Sequence, residues 1–289
     1  MSYDNFKDGY CPTKYGKVYY KIFGEKSENL PLIVVHGGPG GLHNYLLPIS
    51  ELANSRQVIF YDQLGCDKSD EINDKCKLKL ENFVDELKEL INHLKIEKCY
   101  LLGQSWGTMV VSEFIAENPG IAQKAILSSP FLNAKLFAKD AREYFDELDI
   151  ADKEAILKSE KTGNYDTEEY QNAMGSFYSK FVCRLNPFPD YVNDSFGNLS
   201  TFVYYNMWGV SEFTISGSLQ NKDITPNLSK IDIPILITVG EFDEVKPQTA
   251  KYYSTFFKDC KIEILKDASH LHHCEKIEEY NLILMEFLK

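Results

Sequence analysis

Residues 101–111 read LLGQSWGTMVV, and this stretch decides the fold because it sets Ser105 between two glycines directly after an apolar run. The apolar residues before the serine predict a short buried strand at 99–103, and the run after it predicts a helix at 108–118. A Gly-x-Ser-x-Gly turn between a strand and a helix exposes the serine hydroxyl, and its glycines let the two elements approach without clashes between Cβ atoms. The sequence therefore predicts that Ser105 is a nucleophile.

The alternation of strand and helix continues on both sides of this motif. Turn residues bound each short apolar run, and apolar residues at helical spacing mark a helix at 80–94. Strands that alternate with helices predict an α/β fold with a mostly parallel sheet flanked by helices. Further predicted strands lie at 17–24, 30–37, 56–62, 124–129, 234–241 and 261–267, and further helices lie around 247–257 and from about 275 onward.

The alternation stops between residues 131 and 228. This region is polar and aromatic, with helix-like runs at 135–148 and 167–185. It is interpreted as an insertion, which divides the chain into an α/β core (1–130 and 229–289) and a helical cap domain (131–228). The cap either decorates the packing or covers the carboxyl edge of the sheet, where open α/β folds bind ligands. We favour the second interpretation.

A serine nucleophile needs a base, and the base needs an acid that orients it. In strand–turn–helix hydrolases these follow in the order Ser, Asp, His, each after a later strand. Asp243 follows the predicted strand at 234–241, and His270 follows the one at 261–267. We expect Asp243 to orient His270, and the alternative is a turn or capping aspartate.

Residues 270–274 read HLHHC, which could be mistaken for a metal-binding tract. Neither HExxH nor CxxC accompanies them, so no metal site is predicted. His270 is preferred as the base because it is the first histidine after the strand, and His272 and His273 are assigned to the turn into the last helix. No cofactor is expected.

A developing oxyanion needs two backbone donors. The amide of Trp106, at the start of the predicted helix, is the first candidate. The glycine-rich loop HGGPGG at 36–41 supplies the second, for which we choose the amide of Gly37, and Gly38 is expected to contact the substrate. The loop is not a phosphate loop, since no Gly-Lys-Ser/Thr follows it.

Composition limits the other functions. The net charge of −12 argues against nucleic acid as a partner, and no run of 18 or more apolar residues predicts a membrane span. Seven scattered cysteines without a CxxC pair, and an N-terminus without the layout of a secretory signal, lead us to expect a cytoplasmic protein.

Several motifs together resemble the proline iminopeptidase (prolyl aminopeptidase) family, whose members have the α/β-hydrolase fold. The similarity covers essentially the whole chain, and its last two segments look most like the archaeal tricorn-interacting aminopeptidase of that family. The motifs are HGGPG (36–40), YDQLGCDKS (61–69), GQSWG (103–107), SEFTISGSLQNKDIT (211–225) and ITVGEFDEV (237–245).

The resemblance implies a serine aminopeptidase that releases an N-terminal proline, and other apolar residues, from short peptides through an acyl-enzyme. It implies Ser105 as nucleophile, Asp243 as orienting acid and His270 as base. It also implies that Glu212 and Glu244 hold the free amino group of the substrate. Without the resemblance, Glu212 would be interpreted as a solvated glutamate of the cap.

The expected partners are short peptides with a free N-terminus, and the resemblance adds a functional link to a tricorn-type or proteasome-type protease. Two other functions stay open on the sequence alone. One is a hydrolase of small amides, esters or lactones on the same fold. The other is a ligand-binding protein that retains the triad with negligible turnover.

Overall fold

In the computed structural model, which describes residue 3 and residues 5–289, eight strands form one sheet. The strands are β1 (Lys7–Thr13), β2 (Gly16–Phe23), β3 (Leu32–Val35), β4 (Val58–Tyr61), β5 (Cys99–Gln104), β6 (Ala122–Ser128), β7 (Ile235–Gly240) and β8 (Cys260–Leu265). Their order is β1-β2-β4-β3-β5-β6-β7-β8. Strand β2 pairs antiparallel with β1 and β4, and the pairings from β4 to β8 are parallel. The predicted α/β fold with a mostly parallel sheet is confirmed.

Helices cover both faces of this sheet and fill the long connection after β6. They are α1 (Leu80–His93), α2 (Trp106–Glu117), α3 (Ala134–Phe145), α4 (Ile150–Thr162), α5 (Glu168–Phe177), α6 (Asp190–Gly197), α7 (Thr201–Met207), α8 (Thr225–Leu228), α9 (Pro247–Ser254), α10 (His272–Glu275) and α11 (Ile277–Phe287). Other helical segments are the 3-10 helices at Asn44–Asn54 and Lys75–Lys77 and the π-helix at Tyr178–Val182. Within the described residues, no helix is both long and apolar enough to cross a membrane.

The central strands are apolar on both faces because helices cover both faces. Every residue of β3 (LIVV) and of β4 (VIFY) is buried. Such continuous apolar runs are typical of parallel strands inside an α/β fold, whereas a half-exposed strand alternates polar and apolar residues. The carboxyl ends of these parallel strands meet at one edge, and the loops that follow them build the site.

Strand β1 was not predicted. Its sequence, KDGYCPT, has no alternation of apolar residues and contains Gly9 and Pro12, which are depleted in strands. It forms at the edge of the sheet by pairing with β2, with Cys11 opposite Val18. An edge strand tolerates proline because one side of its backbone has no partner strand.

The predicted insertion corresponds to helices α3 to α8, between β6 and β7, which are neighbours in the sheet. The helix predicted at 167–185 is shorter, since α5 ends at Phe177 and a wider helical turn follows at Tyr178–Val182. The division into a core and a cap domain stays a prediction, supported by this excursion of the chain out of the sheet.

Close packing of α2 on β3 depends on Gly107, because a Cβ atom at this position would meet the carbonyl oxygens of Val35 and His36. We expect Gly107→Ala to lower the free energy of unfolding by about 1–3 kcal/mol through overpacking. Urea denaturation measures the change. Gly175→Ala is the matched control, since Gly175 lies in α5 with open space around it, and alanine there should raise helix stability by up to about 1 kcal/mol. Equal stability of the two variants would contradict the packing argument.

Candidate active site

Ser105 lies at the sharp turn between β5 and α2. Its backbone has φ of 50° and ψ of −120°, which is a strained conformation for a residue with a side chain. The turn is held by two backbone hydrogen bonds, from the Ser105 amide to Ser128 O (2.9 Å) and from the Thr108 amide to Ser105 O (2.8 Å). Such a turn presents the serine hydroxyl above the sheet, as the sequence predicts.

His270 and Asp243 lie together in the loops after β8 and β7. His270 Nδ1 is 2.7 Å from Asp243 Oδ1, and both side chains are buried. Burial would raise the pKa of Asp243, but the charge and the hydrogen bond of His270 hold that pKa below its ordinary value. An ionised carboxylate only accepts hydrogen bonds, so Nδ1 carries a proton and Nε2 is the atom left for chemistry.

The other contacts of Asp243 fix its carboxylate. Ser129, which has a φ of 50°, donates from its hydroxyl to Asp243 Oδ2 (2.7 Å), and the amide of Val245 donates to Oδ1 (3.0 Å). Ser129 follows β6, so three neighbouring strand ends contribute to the base and its acid. Sequence analysis missed Ser129, because a lone serine after a strand has no distinguishing pattern.

Glu244 is buried against the same imidazole. Its Oε1 is 3.3 Å from His270 Nε2, and its Oε2 is buried without a hydrogen-bond partner among the described residues. Within that part of the chain, no hydrogen bond joins Ser105 to His270 Nε2, although both residues line the same cavity. Burial raises the pKa of Glu244, and the charges of Glu212 and Asp243 raise it further, against the opposing effect of His270.

Glu212 approaches the cavity from the cap. Its Oε2 accepts hydrogen bonds from the hydroxyls of Tyr204 (2.9 Å) and Tyr178 (3.3 Å). Burial raises the pKa of Glu212, and these hydrogen bonds oppose that rise. The two tyrosines fix the carboxylate in the site, so Glu212 is not the solvated residue that the sequence alone would suggest. Neither tyrosine could be assigned from sequence, since both lie in a region rich in aromatic residues.

The glycine-rich loop requires a correction. The amide of Gly37 donates a 2.6 Å hydrogen bond to Tyr45 Oη, whose hydroxyl donates in turn to Gln104 Oε1 (2.6 Å). Gly37 was predicted as an oxyanion donor, but its amide already has a partner. Among the described residues the amides of Gly38 and Trp106 donate no hydrogen bond, and Gly38 lines the cavity. We therefore propose Gly38 and Trp106 as the two donors.

These groups surround one cavity of about 290 Å³, which we call the active-site cavity. Apart from the polar groups above, its walls are mainly aromatic and aliphatic. Besides Ser105, His270, Glu212 and Glu244, lining residues include Phe137, Tyr170, Met174, Val192, Leu199 and Trp208. A small apolar group next to the serine would therefore be favourably buried.

The two histidines after His270 are structural. His272 Nε2 lies 3.1 Å from Ser128 Oγ and 3.0 Å from Thr238 Oγ1, and His273 packs against the ring of Tyr45. Burial lowers the pKa of both imidazoles, to about 4 for His272. No group of three or more His, Cys, Asp or Glu side chains in the described part of the chain is arranged to hold a metal ion.

A serine on a strained turn, followed by an acid and a histidine after later parallel strands, is the arrangement of α/β hydrolases. The family model described as alpha/beta hydrolase fold matches residues 31–276, so the chain belongs to that family. The proline iminopeptidase of Heyndrickxia coagulans is 36% identical over 284 residues, which cover 98% of this chain and 99% of that protein. The chain belongs to the proline iminopeptidase family, and the resemblance seen in its motifs is confirmed.

Two solved structures are similar over nearly their whole length. The crystal structure of proline iminopeptidase from Mycobacterium smegmatis superposes with a TM-score of 0.91 at 30% identity, covering 98% of this chain and 97% of that one. The crystal structure of VinJ superposes with a TM-score of 0.95, also at 30% identity, covering 98% of each chain. The likeness to the tricorn-interacting aminopeptidase stays a prediction.

The hydroxyl of Tyr45 joins the glycine-rich loop to the strand that ends at the nucleophile. We expect Tyr45→Phe to lower the free energy of unfolding by about 1–3 kcal/mol, because the buried amide of Gly37 and the buried oxygen of Gln104 lose their shared partner. We also expect kcat to fall more than KM rises, since the loop that holds the proposed oxyanion donor is loosened. Denaturation and steady-state kinetics test both effects, and unchanged values would contradict this role.

Proposed function

We propose that this protein is a serine aminopeptidase, which releases an N-terminal residue, proline among them, from short peptides through an acyl-enzyme. The observation that carries the proposal is the pair of carboxylates, Glu212 and Glu244, in the cavity that also contains Ser105 and His270. Membership of the proline iminopeptidase family supports it independently.

In the proposed reaction, His270 accepts the proton of Ser105 as the hydroxyl oxygen attacks the first carbonyl carbon of the peptide. The amides of Gly38 and Trp106 stabilise the oxyanion of the tetrahedral intermediate. Collapse of the intermediate breaks the C–N bond, and the His270 imidazolium gives its proton to the leaving amine. Water then attacks the acyl-enzyme, with His270 again as base, and releases the amino acid.

The pair of glutamates gives the reason for an aminopeptidase. Burial raises the pKa of both carboxylates, and the charge of Glu212 raises the pKa of Glu244 further, so that their charged forms are destabilised. A peptide α-amino group has a pKa of about 7.7–8.0, so it is largely a cation at neutral pH. Charge-assisted hydrogen bonds from that cation to Glu212 and Glu244 would relieve both effects. Fixing the amino group beside the serine leaves room for one residue before the bond that breaks.

The nature of that residue follows from the walls of the cavity. Phe137 and Trp208 line it, and they pack edge to face with ring centroids 5.0 Å apart. We propose that proline and other small apolar side chains lie against such aromatic walls. A cytoplasmic location and a link to a tricorn-type or proteasome-type protease rest only on composition and on the resemblance of residues 211–225 and 237–245.

The test compares a prolyl arylamide with its N-acetylated twin and with a simple aryl ester, for the wild-type protein and for Ser105→Ala. Fast cleavage of the free-amine substrate that is lost in Ser105→Ala is the expected result. Equal cleavage of the acetylated substrate, or activity on the ester alone, would favour the small-molecule hydrolase. Failure of a serine-reactive probe to label Ser105 at any pH from about 5 to 10 would favour a ligand-binding protein.

The cap glutamate gives a more specific prediction. We expect Glu212→Gln to lower kcat/KM for the prolyl arylamide on the order of 30- to 5,000-fold, because the ammonium group of the substrate loses a charged partner. This corresponds to a loss of transition-state stabilisation of about 2–5 kcal/mol. The preference for the free-amine substrate over the acetylated one should shrink correspondingly. The exposed Glu169→Gln, also in the cap, is the matched control and should retain the preference. A preference unchanged in Glu212→Gln would exclude Glu212 as a ligand of the amine.

A further inference from the structure

We propose that Glu244 has a second role, which rests on the proposed function. In the substrate-free enzyme, Glu244 forms an ion pair with His270 and keeps the imidazole protonated, so His270 cannot accept a proton. The ammonium group of the substrate then binds Glu244 and breaks this ion pair. The group that recognises an N-terminal residue would then also free the base, so that selectivity is exerted on turnover as well as on binding.

The geometry at Nε2 carries this inference. That nitrogen must accept the proton of Ser105, because Nδ1 is engaged by Asp243 at 2.7 Å. In the structure Nε2 instead faces Glu244 Oε1 at 3.3 Å, and no hydrogen bond from Ser105 reaches it among the described residues. A carboxylate opposite Nε2 favours a ring protonated on both nitrogens, which has no free lone pair. The second oxygen of Glu244 is buried without a partner there, so a cationic donor would satisfy it.

The charges around His270 favour its protonated form. Three acidic groups surround it: Asp243 and Glu244 belong to the loop after β7, and Glu212 approaches from the cap. Burial lowers the pKa of His270, but Glu244, Asp243 and Glu212 raise it further than burial lowers it. The nearby His272 opposes the protonated ring only weakly, since burial keeps His272 itself neutral. The hydroxyls of Tyr178 and Tyr204 are engaged by Glu212.

The proton balance on binding is simple. The ammonium group donates hydrogen bonds to Glu212 and Glu244, and its positive charge lies close to the imidazolium. The Nε2–H bond of His270 then breaks, and the proton leaves to water. Neutral His270 accepts the hydroxyl proton of Ser105 as Ser105 Oγ forms its bond to the carbonyl carbon of the substrate. A substrate without an amino group supplies no cation, so His270 stays protonated and turnover is slow.

The experiment measures reactions that need His270 as base but no amino group. These are hydrolysis of a simple aryl ester and labelling of Ser105 by a fluorophosphonate probe, each followed from about pH 5 to pH 10 in wild type, Glu244→Gln, Glu212→Gln and Glu169→Gln. Both rates require neutral His270, so they rise as pH passes upward through its pKa. A raised pKa therefore places the acid limb of the wild-type profile above the ordinary imidazole value of about 6.5.

We expect Glu244→Gln to move this limb to lower pH by about 1–3 units, and to speed both reactions about tenfold or more near neutral pH. Cleavage of the prolyl arylamide by the same variant should fall. Glu212→Gln should move the limb less than Glu244→Gln does, because Glu212 is held by its tyrosines and is not paired with Nε2. The surface control Glu169→Gln should leave the limb in place. A wild-type limb at ordinary imidazole pH, or no movement in Glu244→Gln, would overturn the proposal.

A second measurement does not depend on the folding of Glu244→Gln. Calorimetric binding of prolinamide to Ser105→Ala, in buffers of different ionisation enthalpy at about pH 6.5, counts the protons exchanged. We expect release of about one proton per bound prolinamide, because the His270–Glu244 pair loses its proton when the amine binds. Binding without proton release would overturn the proposal while leaving the amine site intact. Absence of binding, together with no cleavage of prolyl arylamide by wild type, would instead contradict the proposed function, and the probe-labelling profile would still test the ion pair.

Discussion

The contact on which the site depends is the close approach of α2 to the ends of β3 and β5. Gly103 and Gly107 flank Ser105, and a Cβ atom on either would meet backbone atoms of the facing segment. This approach forces the chain through a turn in which Ser105 has a positive φ. The strain at Ser105 is tolerated because the backbone hydrogen bonds and the packing on both sides hold the turn in this conformation.

Several parts of the structure follow from this turn. It places Ser105 at the edge where the loops after β6, β7 and β8 also emerge, so Ser129, Asp243 and His270 need only short loops to reach it. It also brings Gln104, the residue before the nucleophile, within reach of Tyr45, whose hydroxyl holds the glycine-rich loop. The proposed oxyanion loop and the nucleophile are thus fixed to each other through one buried tyrosine.

The sequence was sufficient where the fold itself brings residues together. Parallel strands end at a common edge, so placing Asp243 and His270 after later strands was enough to expect them beside each other. It was insufficient where contacts depend on side-chain reach across the fold. The amide of Gly37, predicted as an oxyanion donor, is instead engaged by a hydrogen bond to Tyr45. Strand β1 forms through its pairing with β2. Neither effect leaves a local pattern in the sequence.

Glu212 and Glu244 come from different parts of the chain, and this separation has a consequence. Glu244 belongs to the loop after β7, whereas Glu212 is held by Tyr178 and Tyr204, all three within the predicted cap. A cation bound between both carboxylates therefore links the cap to the sheet at the point where the nucleophile lies. Because an unpaired carboxylate is costly to bury, the proposed bound amino group would stabilise this placement of the cap against the sheet. On this argument, recognition of a free N-terminus and stabilisation of the cap over the site have the same electrostatic cause.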